Sequence, residues 1–312
     1  MKVLVTGGGG FIGSNLAAAL VERGDDVRVL DNFSTGNRVN LARLPEAEVV
    51  EGELRSYERV HAATRGVEVV FHQGALPSVP RSVQDPLTTG AVNVEGTLNV
   101  LLAARDAGVR RVVFASSSSV YGNSGMPPRV ETDPADPISP YGVSKLAAER
   151  YCVSFSRVYE LETVALRYFN VFGPNQDPTS QYSAVIPRFV TAIARGLPVS
   201  VYGDGGQRRD FTYVQNVVEA NLLAAASERA NGAVINVATG RPTSVNELAD
   251  VIGKLLDRQA ERVYHPERAG DVRDSWAGVE LAHELLGWSP AVDLEAGIEL
   301  AVESYLHRSS PA

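Results

Sequence analysis

Short apolar and β-branched runs recur through the first half of the chain, at Val3-Leu4-Val5, Val27-Arg28-Val29-Leu30, Val67-Glu68-Val69-Val70-Phe71, Val112-Val113-Phe114-Ala115 and Thr163-Val164-Ala165-Leu166-Arg167. The longer stretches between them have helical period. Such alternation predicts βαβ crossovers and a doubly wound parallel sheet covered by helices on both faces, an α/β fold that binds ligands beyond the carboxyl ends of its strands. After about residue 173 the pattern breaks into Pro- and Gly-punctuated pieces, such as Gly173-Pro174 and Tyr202-Gly203-Asp204-Gly205-Gly206, with helical stretches at 183–195, 245–257 and 294–306. The chain therefore divides into a domain over 1–173, rejoined by crossover segments at about 208–237, and a smaller α/β lobe made mainly of 174–312. The tail Ser309-Ser310-Pro311-Ala312 is expected to fray.

Composition narrows the function classes. With 312 residues, 44% hydrophobic and 21% charged, the chain can bury a large core. A formal net charge of -8, with Lys and Arg scattered, excludes an electrostatic hold on nucleic acid or an anionic membrane, although a few local Arg can still meet an anionic substrate. The single cysteine, Cys152, excludes an internal disulfide, and no Cys/His cluster has zinc-ligand spacing, so no metal is expected. No long apolar segment occurs, and Lys2-Val3-Leu4-Val5-Thr6 reads as a first strand rather than a signal peptide. A cytoplasmic protein is expected.

That first strand runs into Thr6-Gly7-Gly8-Gly9-Gly10-Phe11-Ile12-Gly13, with Gly7, Gly10 and Gly13 in GxxGxxG spacing. The glycines let the backbone approach a pyrophosphate, which the following helix faces with unpaired N–H groups, while Gly13 allows close helix–strand packing. Asp31 ends the next strand, where a carboxylate accepts hydrogen bonds from an adenosine ribose diol and repels a 2′-phosphate. NAD is the expected cofactor, with Arg38 the one nearby group that favours NADP.

Tyr141-Gly142-Val143-Ser144-Lys145 places Tyr141 and Lys145 one turn apart on one helix face. A phenol with a pKa near ~10 is a poor base at neutral pH unless an ammonium beside it stabilises the phenolate. Strand Val112–Ala115 ends in Ser116-Ser117-Ser118-Ser119-Val120-Tyr121-Gly122, which sets several hydroxyls at the carboxyl edge of the sheet.

On these residues, together with Asp31-Asn32-Phe33-Ser34-Thr35-Gly36, Asn93-Val94-Glu95-Gly96-Thr97, Arg167-Tyr168-Phe169-Asn170-Val171-Phe172-Gly173-Pro174 and Gln207-Arg208-Arg209-Asp210-Phe211, nearly the whole chain resembles the extended short-chain dehydrogenase/reductases. It is most similar to the 4-epimerases of UDP-hexoses and UDP-N-acetylhexosamines. The resemblance implies a Rossmann-type domain that holds NAD through Gly7, Gly10, Phe11, Ile12, Asp31, Asn32, Ser34, Thr35, Gly36, Glu53, Leu54, Gln73, Ala75, Asn93, Ser116, Tyr141, Lys145 and Tyr168. It also implies Ser117 as the catalytic hydroxyl, Tyr141 as base and Lys145 as its partner. Tyr141 would take the sugar 4-OH proton as C4 gives hydride to NAD, and the resulting 4-ketose would turn over and be reduced on its other face. The 4,6-dehydratases carry an Asp-Glu pair where this chain has Ser118 and Ser119, which argues against elimination.

For the UDP-sugar, the resemblance implies contacts from Ser78, Ser117, Ser118, Ser119, Tyr141 and Asn170, diphosphate contacts from Arg209 and Arg268, and a uracil cradle at Val185, Ile186 and Tyr202. Asp271 and Ser275 complete the set. Ser275 stands where a Tyr would block a C2 substituent, so acetamido sugars are expected alongside plain hexoses. Three positions depart from the pattern: Gly74 replaces a commoner Ala, Pro77 stands where some epimerases carry Lys, and Glu53 replaces Asp beside the adenine. Ser78 and Arg81 resemble the acetamido-sugar group, and His72 reads as a packed, hydrogen-bonded strand end. Apolar stripes near 93–107 and 141–158 match helices that pair across a homodimer in the family. The rival readings are another nucleotide-sugar enzyme that oxidises C4 (a UDP-glucuronate epimerase or decarboxylase, a 4-ketoreductase or a dehydratase) and a non-catalytic NAD-binding sensor.

Overall fold

The computed structural model describes residues 1–123, 125–177, 184–267 and 272–308. Seven strands build one parallel sheet: β1 (Lys2–Thr6), β2 (Asp26–Asp31), β3 (Glu48–Glu51), β4 (Val69–His72), β5 (Arg111–Ser117), β6 (Glu162–Tyr168) and β7 (Val234–Val237), in the order β7-β6-β5-β4-β1-β2-β3. The five strands expected from apolar runs are all present. The two at the edges were not marked as strands. β3 reads Glu48-Val49-Val50-Glu51, and its register with β2, Arg28 opposite Glu48 through Asp31 opposite Glu51, leaves its charged ends facing water. β7 is only four residues long and pairs with β6 after a long excursion of the chain.

Because the side-chain period of a strand is two, each central strand feeds two cores. Val3, Val5, Val113 and Ala115 point to the face covered by α1 (Phe11–Glu22), whose Leu16, Ala17 and Leu20 are buried there. Leu4, Val112 and Phe114 point to the opposite face, covered by α2 (Tyr57–Thr64), α3 (Gly96–Asp106) and α4 (Pro140–Val158). The expected helical stretches beyond 173 appear as α5 (Val185–Ala194), α7 (Val245–Leu255) and α8 (Leu294–Arg308). Helix α6 (Val214–Ala226), not anticipated from the sequence, packs beside α1 on the first face. No described helix is long and apolar enough to cross a membrane.

Candidate active site

From β1 the chain winds outward to β2, and from β4 to β5, although β1 and β4 are themselves paired. Strand order thus reverses at β1 and β4, opening a crevice beyond their carboxyl ends where a dinucleotide fits. Two glycines there are dictated by the protein itself. Gly7 has φ 70°, and a Cβ on it would lie 2.6 Å from Gly74 Cα; on Gly13 it would lie 2.2 Å from the Gly7 carbonyl oxygen. Gly10 differs, since the nearest atom to an added Cβ is that same oxygen at 3.1 Å and the other side is open. Gly10 also N-caps α1 without a side-chain acceptor, and the first turn holds no acidic residue. Its amides, those of Phe11 and Ile12 included, are left for an anion, so the loop fits a pyrophosphate.

Asp31 is buried at the end of β2. Its Oδ2 accepts from Gly9 N at 2.8 Å and its Oδ1 from Phe33 N at 2.7 Å. The Gly9 carbonyl accepts from Asn37 N and from Asn40 Nδ2, each at 2.8 Å, so the loop after β2 is clamped onto the glycine loop. Gly36 belongs to that contact, since a Cβ on it would lie 2.8 Å from Gly9 C; Asn32 Oδ1 accepts from Ser34 N at 3.0 Å, and Ser34 and Thr35 are exposed. Arg38 is ion-paired with Glu51 and lies 4.1 Å over the Phe33 ring, so the nearby cation that favoured a 2′-phosphate already has a carboxylate partner. Glu53 pairs with Arg55, and Leu54 is buried under Gly74 and Gly96. The Gly74 departure has its reason here: a Cβ at that position would stand 2.9 Å from Leu54 Cδ1. Ala75 follows, half-buried. Gln73 Nε2 donates to Tyr168 Oη at 3.1 Å and Asn221 Nδ2 donates to the same oxygen at 2.8 Å, while burial pushes the Tyr168 phenol up to about 12.

Helix α4 is placed by contacts at its first turn. Ser139 caps α4 by accepting from Gly142 N at 3.1 Å, and Pro140 opens it. A Cβ on Gly142 would lie 2.7 Å from the Ser119 carbonyl oxygen, so this glycine lets the turn rest directly on the serine run. Tyr141 N donates to Ser82 Oγ at 3.0 Å, and Ser82 lies on the short helix Val79–Gln84, which Ser78 caps by accepting from Arg81 N at 3.1 Å. Tyr141 and Lys145 are both buried, as their spacing requires of one face. Lys145 Nζ donates to Ala115 O at 2.8 Å, and Ser117 Oγ contacts Ser119 Oγ at 3.1 Å. Burial pushes the Tyr141 phenol up, and a hydrogen bond from Ser117 draws it back. Burial also pushes the Lys145 ammonium down to about 8 from 10.5.

That shift has a sign that can be tested. Between pH 8 and 10.5 the unfolded chain holds the Lys145 proton more tightly than the folded one, so the charge costs stability fully below pH 8 and not at all above 10.5. Lys145→Met is therefore expected to unfold at higher denaturant concentration than wild type at pH 7, with the difference shrinking as pH rises towards 10.5, and to lose turnover. A variant less stable at pH 7 would contradict this account of the lysine.

Behind the site, Ser116 Oγ donates to Glu149 Oε2 at 2.8 Å, and Glu149 receives two further bonds from Arg167, at 2.9 and 2.8 Å. Ser116 was expected at the cofactor, and its hydroxyl turns into this buried ion pair. Asn93, expected there too, accepts from Leu76 N at 2.8 Å through its side-chain oxygen and donates to Ser144 Oγ at 2.9 Å through its side-chain nitrogen. Glu149 was not anticipated, although it stands four residues after Lys145 and eight after Tyr141 on the same face.

Across the crevice, Asn170 has φ 29° and its Nδ2 donates to Asp210 O at 3.3 Å. Arg209 Nη1 donates to Arg273 O at 3.0 Å, and Ser275 pairs with Arg209 between the short strands Asp274–Ser275 and Arg208–Asp210, half-buried. Tyr202 stacks on His265 at 5.2 Å. Ile186 is packed in the core, which leaves half-buried Val185 as the more available member of the expected uracil cradle. Ser118 and Ser119 are half-buried beside Ser117, with no carboxylate at either position. Arg268 and Asp271 lie outside the described residues.

Comparison with known proteins bears on this arrangement. The UDP-glucose 4-epimerase of Mycolicibacterium smegmatis is 38% identical over 99% of this chain and 100% of its own length. The crystal structure of the Thermotoga maritima UDP-glucose 4-epimerase with UDP-glucose superposes with a TM-score of 0.93 at 40% identity, covering 98% of both chains. The UDP-N-acetylglucosamine 4-epimerase of Methanobrevibacter ruminantium, in complex with UDP-N-acetylmuramic acid, superposes at 0.94 with 37% identity over 98% of both chains. The NAD dependent epimerase/dehydratase family model matches residues 3–238, and the chain belongs to that family.

Proposed function

We propose that this protein is an NAD-dependent 4-epimerase of UDP-hexoses that accepts N-acetylhexosamines as well as plain hexoses. The observation that carries the reading is the buried Tyr141–Lys145 pair beside Ser117, at the sheet edge next to a glycine loop shaped for a dinucleotide, with Ser118 and Ser119 where a dehydratase has acids. Gly7, Gly10, Phe11, Ile12, Asp31 and Gly36 would hold NAD. Bound there, NAD supplies the acceptor for hydride from C4 and its return to the other face of the 4-ketose. Tyr141 removes the 4-OH proton as that oxidation proceeds and returns it on reduction, so no net proton or electron is consumed. The Lys145 ammonium stabilises the Tyr141 phenolate, and the Ser117 hydroxyl donates to the oxygen at C4 as its charge develops. Arg209 and Asn170 bind the UDP diphosphate and sugar.

Ser275 supports the acetamido specificity, because a small half-buried side chain there leaves room at C2. Ser275→Tyr is expected to lower kcat/KM for UDP-N-acetylglucosamine about 10²-fold while leaving UDP-glucose within about tenfold of wild type. Equal losses on both sugars would remove Ser275 from the specificity account.

In this reading residues 1–173 with about 208–237 form the NAD domain and 174–312 mainly the UDP-sugar lobe, and the enzyme works in the cytoplasm. A homodimer goes with it. Val143 of α4 and Leu87 are exposed apolar residues beside a groove of ≈ 430 Å³ lined by Pro86, Gly90, Val94, Ile138, Val143 and Ala147. α4 and α3, the other expected dimer helix, each bury one face within their own chain, Ala148, Cys152 and Phe155 on α4 and Val100, Leu101 and Ala104 on α3, and the surface for a second copy is proposed on their outer faces with Pro86–Gly90. Sedimentation as a monomer would overturn that part.

A further inference from the structure

His72 closes β4 inside the protein, away from any surface the sugar could reach. Each ring nitrogen meets a threonine hydroxyl, Nδ1 with Thr6 Oγ1 at 2.7 Å and Nε2 with Thr97 Oγ1 at 3.0 Å. The neighbours settle which way the protons run. Thr97 Oγ1 donates to Asn93 O at 2.6 Å, so it accepts from His72 Nε2–H. Nδ1 then has no proton and accepts from Thr6 Oγ1, which in turn accepts from Gly74 N at 3.2 Å. On the far side, Asn93 holds Leu76 through its amide oxygen and Ser144 through its amide nitrogen, and Ser144 Oγ donates to Tyr141 O at 2.8 Å. Asn93 itself lies in a π-helical turn, Ala91–Glu95, a local irregularity that often marks a functional position. The series joins the crevice where β1 and β4 end to the helical turn between the base and its lysine.

We propose that His72, as the neutral Nε2–H tautomer, and Thr97 are positioning residues that set Tyr141 and Lys145 against the cofactor edge of the sheet. The proposal rests on the epimerase reading only for its kinetic assay. Burial, and then the Lys145 ammonium, push the His72 imidazolium down to about 3, so the ring stays uncharged throughout the neutral range. Thr6, His72, Thr97, Asn93 and Ser144 are all buried, so loosening the series should alter the chemical step more than binding. A misplacement of about 1 Å in a catalytic group can cost on the order of a hundredfold in rate.

Thr97→Val keeps the shape of the side chain and removes its hydroxyl; Thr97→Ser keeps the hydroxyl. With UDP-glucose, at a temperature where both variants are fully folded, Thr97→Val is expected to lose about tenfold or more in kcat with KM within about twofold, and Thr97→Ser to keep kcat near wild type. Amide hydrogen exchange over residues 140–146 needs no substrate: faster exchange in Thr97→Val but not in Thr97→Ser supports the proposal even if UDP-glucose proves to be the wrong sugar. Unchanged kcat and unchanged exchange in a Thr97→Val protein whose melting temperature has merely fallen overturns it, as does an equal loss in both variants. His72→Gln, which keeps a donor towards Thr97 but loses the acceptor for Thr6, is expected to fall between the two threonine variants, and wild-type behaviour there would also count against the series.

Discussion

Tyr141→Phe is expected to stay folded and retain its nucleotide while kcat for UDP-glucose epimerisation falls by about 10²–10⁴-fold, the range for removal of a general base or acid from a transition state. The phenol oxygen is dispensable to the fold because the residue is anchored by its backbone: Tyr141 N donates to Ser82 Oγ and Tyr141 O accepts from Ser144 Oγ. The substitution therefore isolates proton transfer from placement of the helix. Unchanged KM with the fall confined to kcat is the expected pattern, since the oxygen is used most strongly as the 4-OH proton leaves. Retention of turnover within about tenfold would mean that another group, with Ser117 the nearest candidate, carries the proton.

The largest effect on stability is expected at Glu149. The carboxylate is fully buried and receives hydrogen bonds from Arg167 and Ser116, while the Arg167 guanidinium lies 4.6 Å over the Tyr121 ring. Burial pulls the Arg167 guanidinium down, but the Glu149 carboxylate more than offsets this and holds it above its ordinary value. Glu149→Gln strands that cation in the core, and removing one partner of a buried pair costs about 3–5 kcal/mol. Denaturant unfolding should report a loss of that size for Glu149→Gln, and the double replacement Glu149→Leu with Arg167→Met should recover most of it, because no charge is then left buried. A single-variant loss below about 1 kcal/mol would show that water reaches the pair.

Both predictions concern one helix, and they separate what its sequence discloses from what it does not. Tyr141 and Lys145 are legible because a phenol and an ammonium one turn apart follow a serine-rich strand end in the company of a glycine loop. Glu149 obeys the same spacing, yet a carboxylate in a helix is usually a solvated one, and only the approach of β6 turns it into the counter-ion of Arg167. Asn93 and Ser116 carry contacts that their motif positions do not disclose. Their positions in motifs point towards the cofactor, whereas their polar atoms are claimed by Leu76, Ser144 and Glu149, all brought in by other segments. Arg38 is resolved in the same way, since its pairing with Glu51 depends on the edge strand β3, a segment too short and too charged to stand out by apolar pattern. The central strands were visible because burial on both faces demands continuous apolar runs. The glycine loop was visible because Gly7 and Gly13 sit where the backbone leaves no space for a side chain.

In the proposed reaction C4 is oxidised and then reduced again in place. It is tested most directly by incubating the purified protein with UDP-glucose and, separately, with UDP-N-acetylglucosamine, without added reductant, and following the sugar by proton NMR and NADH by absorbance. The account predicts that each sugar relaxes to a mixture with its galacto isomer while no NADH accumulates in solution. Stoichiometric release of NADH with a persistent ketose or a decarboxylated product, or no change in either sugar with NAD bound, would contradict it.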